Sequence, residues 1–100
     1  MEVEMIALPY GGVFDEHDLV RYIRSTGRNY IIQGQTAVSR GDHPKPQSLD
    51  YWVRQFGKNP NTKQAENGVL DALVATGFFE IRKNLRCPES GSRCKGLRLI

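Results

Sequence analysis

The sequence predicts an α+β domain built from three short helices, a small antiparallel sheet and a C-terminal β-hairpin. Two patterns carry that expectation. Apolar residues recur at helical spacing in three separate segments, most regularly at Leu49, Trp52, Val53 and Phe56, which fall at i, i+3, i+4 and i+7 and so share one face. Beyond the last of these segments, β-prone runs at 78–86 and 94–100 flank a turn around Gly91. A chain of 100 residues holds one core, and 39% apolar with 25% charged residues is the composition of a folded domain.

Taken in order, residues 2–8 read as a short strand stopped by Pro9 and the Gly11-Gly12 pair, so 1–14 is expected to be an N-terminal arm or short strand ahead of a domain at 15–100. Asp15 is placed to accept from the open amides of a helix, Glu16 and Asp18 suit its positive end, and Phe14 can staple onto Leu19. The helix then runs over 16–26, with Leu19, Val20 and Ile23 as its apolar stripe and Gly27 closing it. Residues 29–33 form a short β-prone run. Residues 34–47 hold two Gly and two Pro, which break helix and strand alike, and predict a long loop carrying Arg40 and Lys45. Ser48 caps the second helix and Gly57 ends it. A third helix over about 62–76 buries Ala65, Val69, Leu70, Leu73 and Val74, turns Lys63, Gln64, Asn67 and Asp71 outward, and stops at Gly77.

Charge is uneven along the chain. Residues 1–20 carry Glu2, Glu4, Asp15, Glu16 and Asp18 and no Lys or Arg, whereas 81–100 carry Arg82, Lys83, Arg86, Arg93, Lys95 and Arg98 against Glu89. The formal net charge is +3 and the pI about 9.1, a balance that favours a polyanionic partner and otherwise means a solvated basic hairpin. No segment is apolar enough to span a membrane and the acidic start is unlike a signal peptide, so the reading is of a soluble cytoplasmic protein.

The order helix, short strand, helix, turn, helix, hairpin over 15–100, together with the phrase LVATGFFEI at 73–81 leading from third helix to hairpin, resembles the winged-helix family. That resemblance implies a DNA-binding domain with a regulatory role in transcription. Its third helix would enter the groove of duplex DNA through Asn61, Thr62, Lys63, Gln64 and Asn67, and its wing would hold phosphates through Arg86, Ser90, Ser92, Arg93 and Lys95. The chemistry agrees: Asn and Gln pair with adenine, Lys meets guanine or phosphate, and Ser and Gly let backbone approach a phosphate. The alternative is a winged-helix protein-interaction module, since 61–76 carries Lys63 against Glu66 and Asp71. A second copy is a further candidate partner, pairing through the edge of the first strand.

No enzyme is read from the chain. The stretch 60–80, with VLDAL at 69–73 and TGFFE at 76–80, is similar to a helix of phage-type Holliday-junction resolvases, but Asn61 and Lys63 stand where that family has acidic residues, and Asp71 alone does not make a magnesium site. No cofactor, metal or catalytic set is expected. Cys87 and Cys94, opposite each other across the hairpin, read as two thiols in a cytosolic protein, with a bridge between them on oxidation as the alternative; neither lies in a Cys-x-x-Cys pair, and His17 and His43 sit in distant segments as solvated side chains.

Overall fold

The computed structural model describes residues 5–34, 47–59, 61–88 and 91–100. Strand β1 (Met5–Ala7) turns back through Pro9 and the two glycines into β2 (Val13–Asp15), and the two pair antiparallel with Ile6 opposite Phe14. Helix α1 (Glu16–Ser25) follows without a break, Asp15 capping it by accepting the His17 amide at 2.8 Å. Then come β3 (Tyr30–Ile32), α2 (Leu49–Val53), α3 (Asn67–Ala75), β4 (Phe79–Arg86) and β5 (Arg93–Leu99). The second sheet is antiparallel in the order β3-β5-β4, so the short strand β3 lies at one edge and joins the C-terminal hairpin at its later strand, β5, which is central.

The expected helix starts hold for α1 and α2. Ser48 caps α2 by accepting the Tyr51 amide, and Leu49, Trp52 and Val53 are buried with Phe56 packed beside them. An aromatic knot forms there: Trp52 meets Phe14 edge-on at 5.4 Å, stacks on Tyr22 at 5.6 Å and packs on Phe56 at 4.8 Å. Leu19 and Ile23 of α1, Leu70 and Leu73 of α3, and Phe79 and Leu97 of the sheet complete one core.

Three features of the fold differ from the sequence reading. Helix α2 ends at Val53 with Arg54 as its C-cap, before the Gly57 expected to close it. The segment before α1 is a hairpin rather than a single strand, and Ile6, Leu8 and Phe14 are buried in the same core as the helices, so the boundary drawn at residue 14 falls inside β2. Val13 is exposed and Phe14 buried, a two-residue alternation too short to show as a periodicity. The third helix starts at Asn67 instead of 62, because the Asp50 carboxylate holds the residues just before it. The role assigned to Arg40 and Lys45 lies outside the described residues; the chain on either side is drawn together by a parallel bridge from Ile32 to Ser48 and by the Asp50 amide donating to the Gln33 carbonyl.

Close backbone approach explains one glycine. A Cβ on Gly96 would sit 2.2 Å from the Ile31 carbonyl oxygen and 2.7 Å from the Ile32 Cα, inside the β3-β5 pairing. Gly96→Ala must therefore push β3 and β5 away from each other, and it is expected to cost about 3 kcal/mol, read as a lower urea midpoint. A loss below about 1 kcal/mol would show that the sheet accommodates the methyl without separating.

Candidate nucleic-acid interface

The basic residues of the hairpin divide between two faces. On one, Glu80 accepts from Arg82 at 2.9 Å and from Arg98, whose Cα lies opposite its own. The hydrogen bond from Arg82 is the main reason the Glu80 carboxyl is held below the usual carboxylate range; partial desolvation opposes it and the Arg98 bond adds to it. A carboxyl with a lowered folded pKa stabilises the fold above the unfolded value and loses that contribution as pH falls through the folded one. Wild type and Glu80→Gln should thus differ in Tm at neutral pH and converge at about pH 2. A difference that persists in acid would mean that the clamp acts through packing rather than charge.

On the other face, Arg86 and Arg93 stand directly opposite each other, both exposed. Side chains alternate along β5, so Arg93 and Lys95 share the side on which Leu97 and Leu99 cover the core. Lys95 Nζ donates to Asn67 Oδ1 at 3.1 Å, and the same oxygen lies 3.4 Å from Gln33 Nε2. The amino end of α3 and the basic side of the hairpin therefore meet at Asn67 and Lys95. Arg93 folds along the hairpin to donate to the Asn84 carbonyl at 3.1 Å, and Ser92 is exposed beside Gly91, whose φ of 73° turns the chain. Ser90 lies outside the described residues.

Residues 61–66 depart from the expected helix. Asn61, Thr62 and Lys63 are exposed, but in a turn in which the Thr62 amide and hydroxyl both donate to the Asn59 carbonyl. Gln64, read as groove-facing, is 0% exposed. Its Nε2 donates to the Asn59 carbonyl at 2.7 Å and to Thr62 Oγ1 at 3.1 Å, and its side chain packs where a Cβ on Gly57 would otherwise sit. The cause is Asp50, itself 0% exposed, whose Oδ1 accepts the amides of Gln64 and Ala65 at 2.8 Å each while its Oδ2 accepts from Arg54 Nε at 2.9 Å. Two amides drawn to a carboxylate fourteen and fifteen residues earlier hold this stretch against α2, and the helix begins only after Glu66. Neither Asp50 nor Gln33, which is buried and donates to the Ala65 carbonyl at 2.6 Å, is marked by any local pattern in the sequence.

The remaining expectations find these places. Cys94 lies opposite Leu85, and the Cys87 amide donates to the Ser92 carbonyl, so the two cysteines are diagonal rather than facing neighbours; both lie in a small apolar cluster with Ile32, Leu85 and Tyr30. Tyr22 belongs to the aromatic knot, Tyr30 donates to the Arg86 carbonyl at 2.8 Å, and Tyr10 is exposed. Along the outer edge expected to pair with a second copy, β1 is engaged on one side by β2. No helix among the described residues is long and apolar enough to cross a membrane. Comparison with protein families, with curated proteins and with solved structures finds no match to this chain.

Proposed function

We propose that the chain is a winged-helix-type module that binds duplex DNA. The observation that carries this reading is the direct opposition of Arg86 and Arg93, both exposed at the hairpin end of the sheet face that leads through the half-buried Lys95 to the first residue of α3. Like charges opposite one another weaken a sheet unless an anion lies between them, and a phosphate backbone supplies such an anion. Among the described residues the order of elements from α1 to β5 is helix, strand, helix, helix and hairpin, which supports the reading without being specific to it. In this reading Arg86, Arg93 and Lys95 hold phosphates, Ser92 and Gly91 bring backbone close to them, and Asn67 with the exposed turn at 61–63 faces the groove. Gln64 has no role in it, because its side chain is inside the fold.

A protein-interaction module is the second reading. Helix α3 contains no Lys or Arg and exposes Asp71, a poor match to a phosphate-lined groove. Fluorescence-anisotropy titration of a mixed-sequence duplex, at low and at near-physiological salt, separates the two. DNA binding is expected to weaken steeply with salt, because each neutralised phosphate releases counterions. Absence of binding at low salt overturns the DNA reading and leaves the protein-interaction module.

A further inference from the structure

At the junction of β2 and α1, far in sequence from the basic hairpin, three consecutive side chains converge. One carboxylate oxygen of Asp15, one of Glu16 and one ring nitrogen of His17 all lie within 4.8 Å of one another. Glu16 sits there in an unusual state. Its side chain is only 6% exposed, its Oε1 is 3.7 Å from His17 Nε2, and its Oε2 is buried with no hydrogen-bond partner among the described residues. An ionised carboxylate taken out of water costs several kcal/mol unless it is paired or coordinates a metal. The positive end of α1 offsets a small fraction of that cost, and the imidazole of His17, neutral or charged, approaches only one of the two oxygens.

We infer that Asp15, Glu16 and His17 form a binding site for one divalent transition-metal ion, of which Zn²⁺ is the natural occupant by ligand type. Two carboxylates and an imidazole form an O,O,N set; the ring nitrogen suits zinc and its neighbours in the first transition row and is foreign to magnesium or calcium. Two carboxylates balance the charge of a divalent ion. Tetrahedral metal–ligand bonds of about 2.0–2.2 Å set ligand atoms roughly 3.3–3.6 Å apart, so atoms now up to 4.8 Å apart need to close by up to about 1.5 Å, shared between the three side chains. Asp15 keeps its cap while doing so, since Oδ1 holds the His17 amide and a carboxylate has a second oxygen to give. The imidazole is already oriented: its ring packs edge-on against Phe78 at 5.1 Å, and its side chain is 44% exposed, which leaves water a path to complete the coordination shell. His17, which as a lone histidine reads as solvated, thus has two ligating neighbours in the two positions just before it, at the start of its own helix. An ion held there ties the β1-β2 hairpin to the start of α1, and through the His17–Phe78 contact to the entry of β4.

The test is a titration of the intact, reduced chain with Co²⁺, followed by its visible absorption, and then with Zn²⁺ in competition. One equivalent is expected to bind, with no thiolate-to-cobalt charge-transfer band, and Tm is expected to rise with Zn²⁺ concentration. Glu16→Gln and His17→Ala should each weaken binding by at least about tenfold, whereas Asp71→Asn, on the exposed side of α3, should leave it unchanged. Circular-dichroism melts of each variant check that the fold is intact; where Glu16→Gln destabilises it, the half-exposed His17→Ala carries the comparison. The inference is overturned by absence of saturable Co²⁺ or Zn²⁺ binding, by binding that both variants leave unchanged, by a thiolate band that puts the ion at Cys87 and Cys94, or by binding of Mg²⁺ in place of either transition metal. None of these outcomes depends on whether the chain binds DNA.

Discussion

Asp50→Ala is expected to destabilise the domain by about 3–5 kcal/mol. Asp50 is fully buried at the first turn of α2, and its two oxygens serve three donors: the amides of Gln64 and Ala65 at 2.8 Å and Arg54 Nε at 2.9 Å. Alanine removes both acceptors at once. The two amides are left buried without their acceptor, each costing about 1–3 kcal/mol, and Arg54 loses the carboxylate that balances it. Small domains hold only about 5–15 kcal/mol in total, so the variant should be largely unfolded well below the wild-type transition. Asp50→Asn separates the contributions. Its amide oxygen can still accept from one or both backbone amides, but its NH2 turns a donor toward Arg54, so the loss should lie between those of Asp50→Ala and wild type. Urea denaturation with an unchanged m-value measures both. An Asp50→Ala loss below about 1 kcal/mol would mean that residues 64–65 find other acceptors and that the carboxylate does not set the start of α3.

The second large effect concerns binding. Arg93→Glu with Lys95→Glu exchanges two positive charges for two negative ones on the sheet face that leads to Asn67. Under the DNA reading, duplex affinity at low salt should fall by at least about a hundredfold, and the plot of log affinity against log salt should flatten by roughly two, close to 0.9 for each phosphate that is no longer neutralised. The comparison that gives this meaning is Arg21→Glu with Arg24→Glu on α1, an identical change in net charge on an element that makes none of the proposed contacts. If both double variants lose affinity equally, the protein attracts DNA through its overall charge and the hairpin is not a wing. If neither does, phosphate recognition lies elsewhere. Because Lys95 also bonds Asn67, a thermal melt of the variant distinguishes weaker phosphate binding from a damaged fold.

A further pH effect follows from the aromatic knot. Burial, with the neighbouring Tyr51 adding to it, raises the pKa of Tyr22. A raised folded pKa stabilises the fold below the unfolded phenol value when the protonated form is the buried one, so ionisation in alkali works against folding and that contribution disappears as pH climbs through the folded pKa. Tyr22→Phe should therefore flatten the fall of Tm above about pH 10. An identical alkaline fall in the variant would place the titrating group elsewhere.

Local chemistry made much of this protein legible. Asp15 and Ser48 announce helix starts because a cap acts on amides two or three residues away. Leu49, Trp52, Val53 and Phe56 announce a buried face because helical spacing is a property of the segment itself. The hairpin of β4 and β5 is written in two β-prone runs around a glycine turn. Where the structure departs from these expectations, the deciding partner is remote. An apolar and polar alternation that continues back through Gln64 predicts helix from 62, but the amides of 64 and 65 are taken by Asp50, and Gln64 turns inward onto Gly57.

The sequence by itself determined the class of the fold, the helix caps, the main core face and the concentration of basic charge toward the C-terminus, since each follows from spacing or composition within a short stretch. Tertiary structure alone decided which face of the hairpin carries Arg86, Arg93 and Lys95 together, where α3 begins, that β1 and β2 close a hairpin onto the core, and that Glu16 is enclosed beside Asp15 and His17. Strand register, long-range acceptors and burial depend on what the rest of the chain places alongside a residue, and no local pattern carries that information.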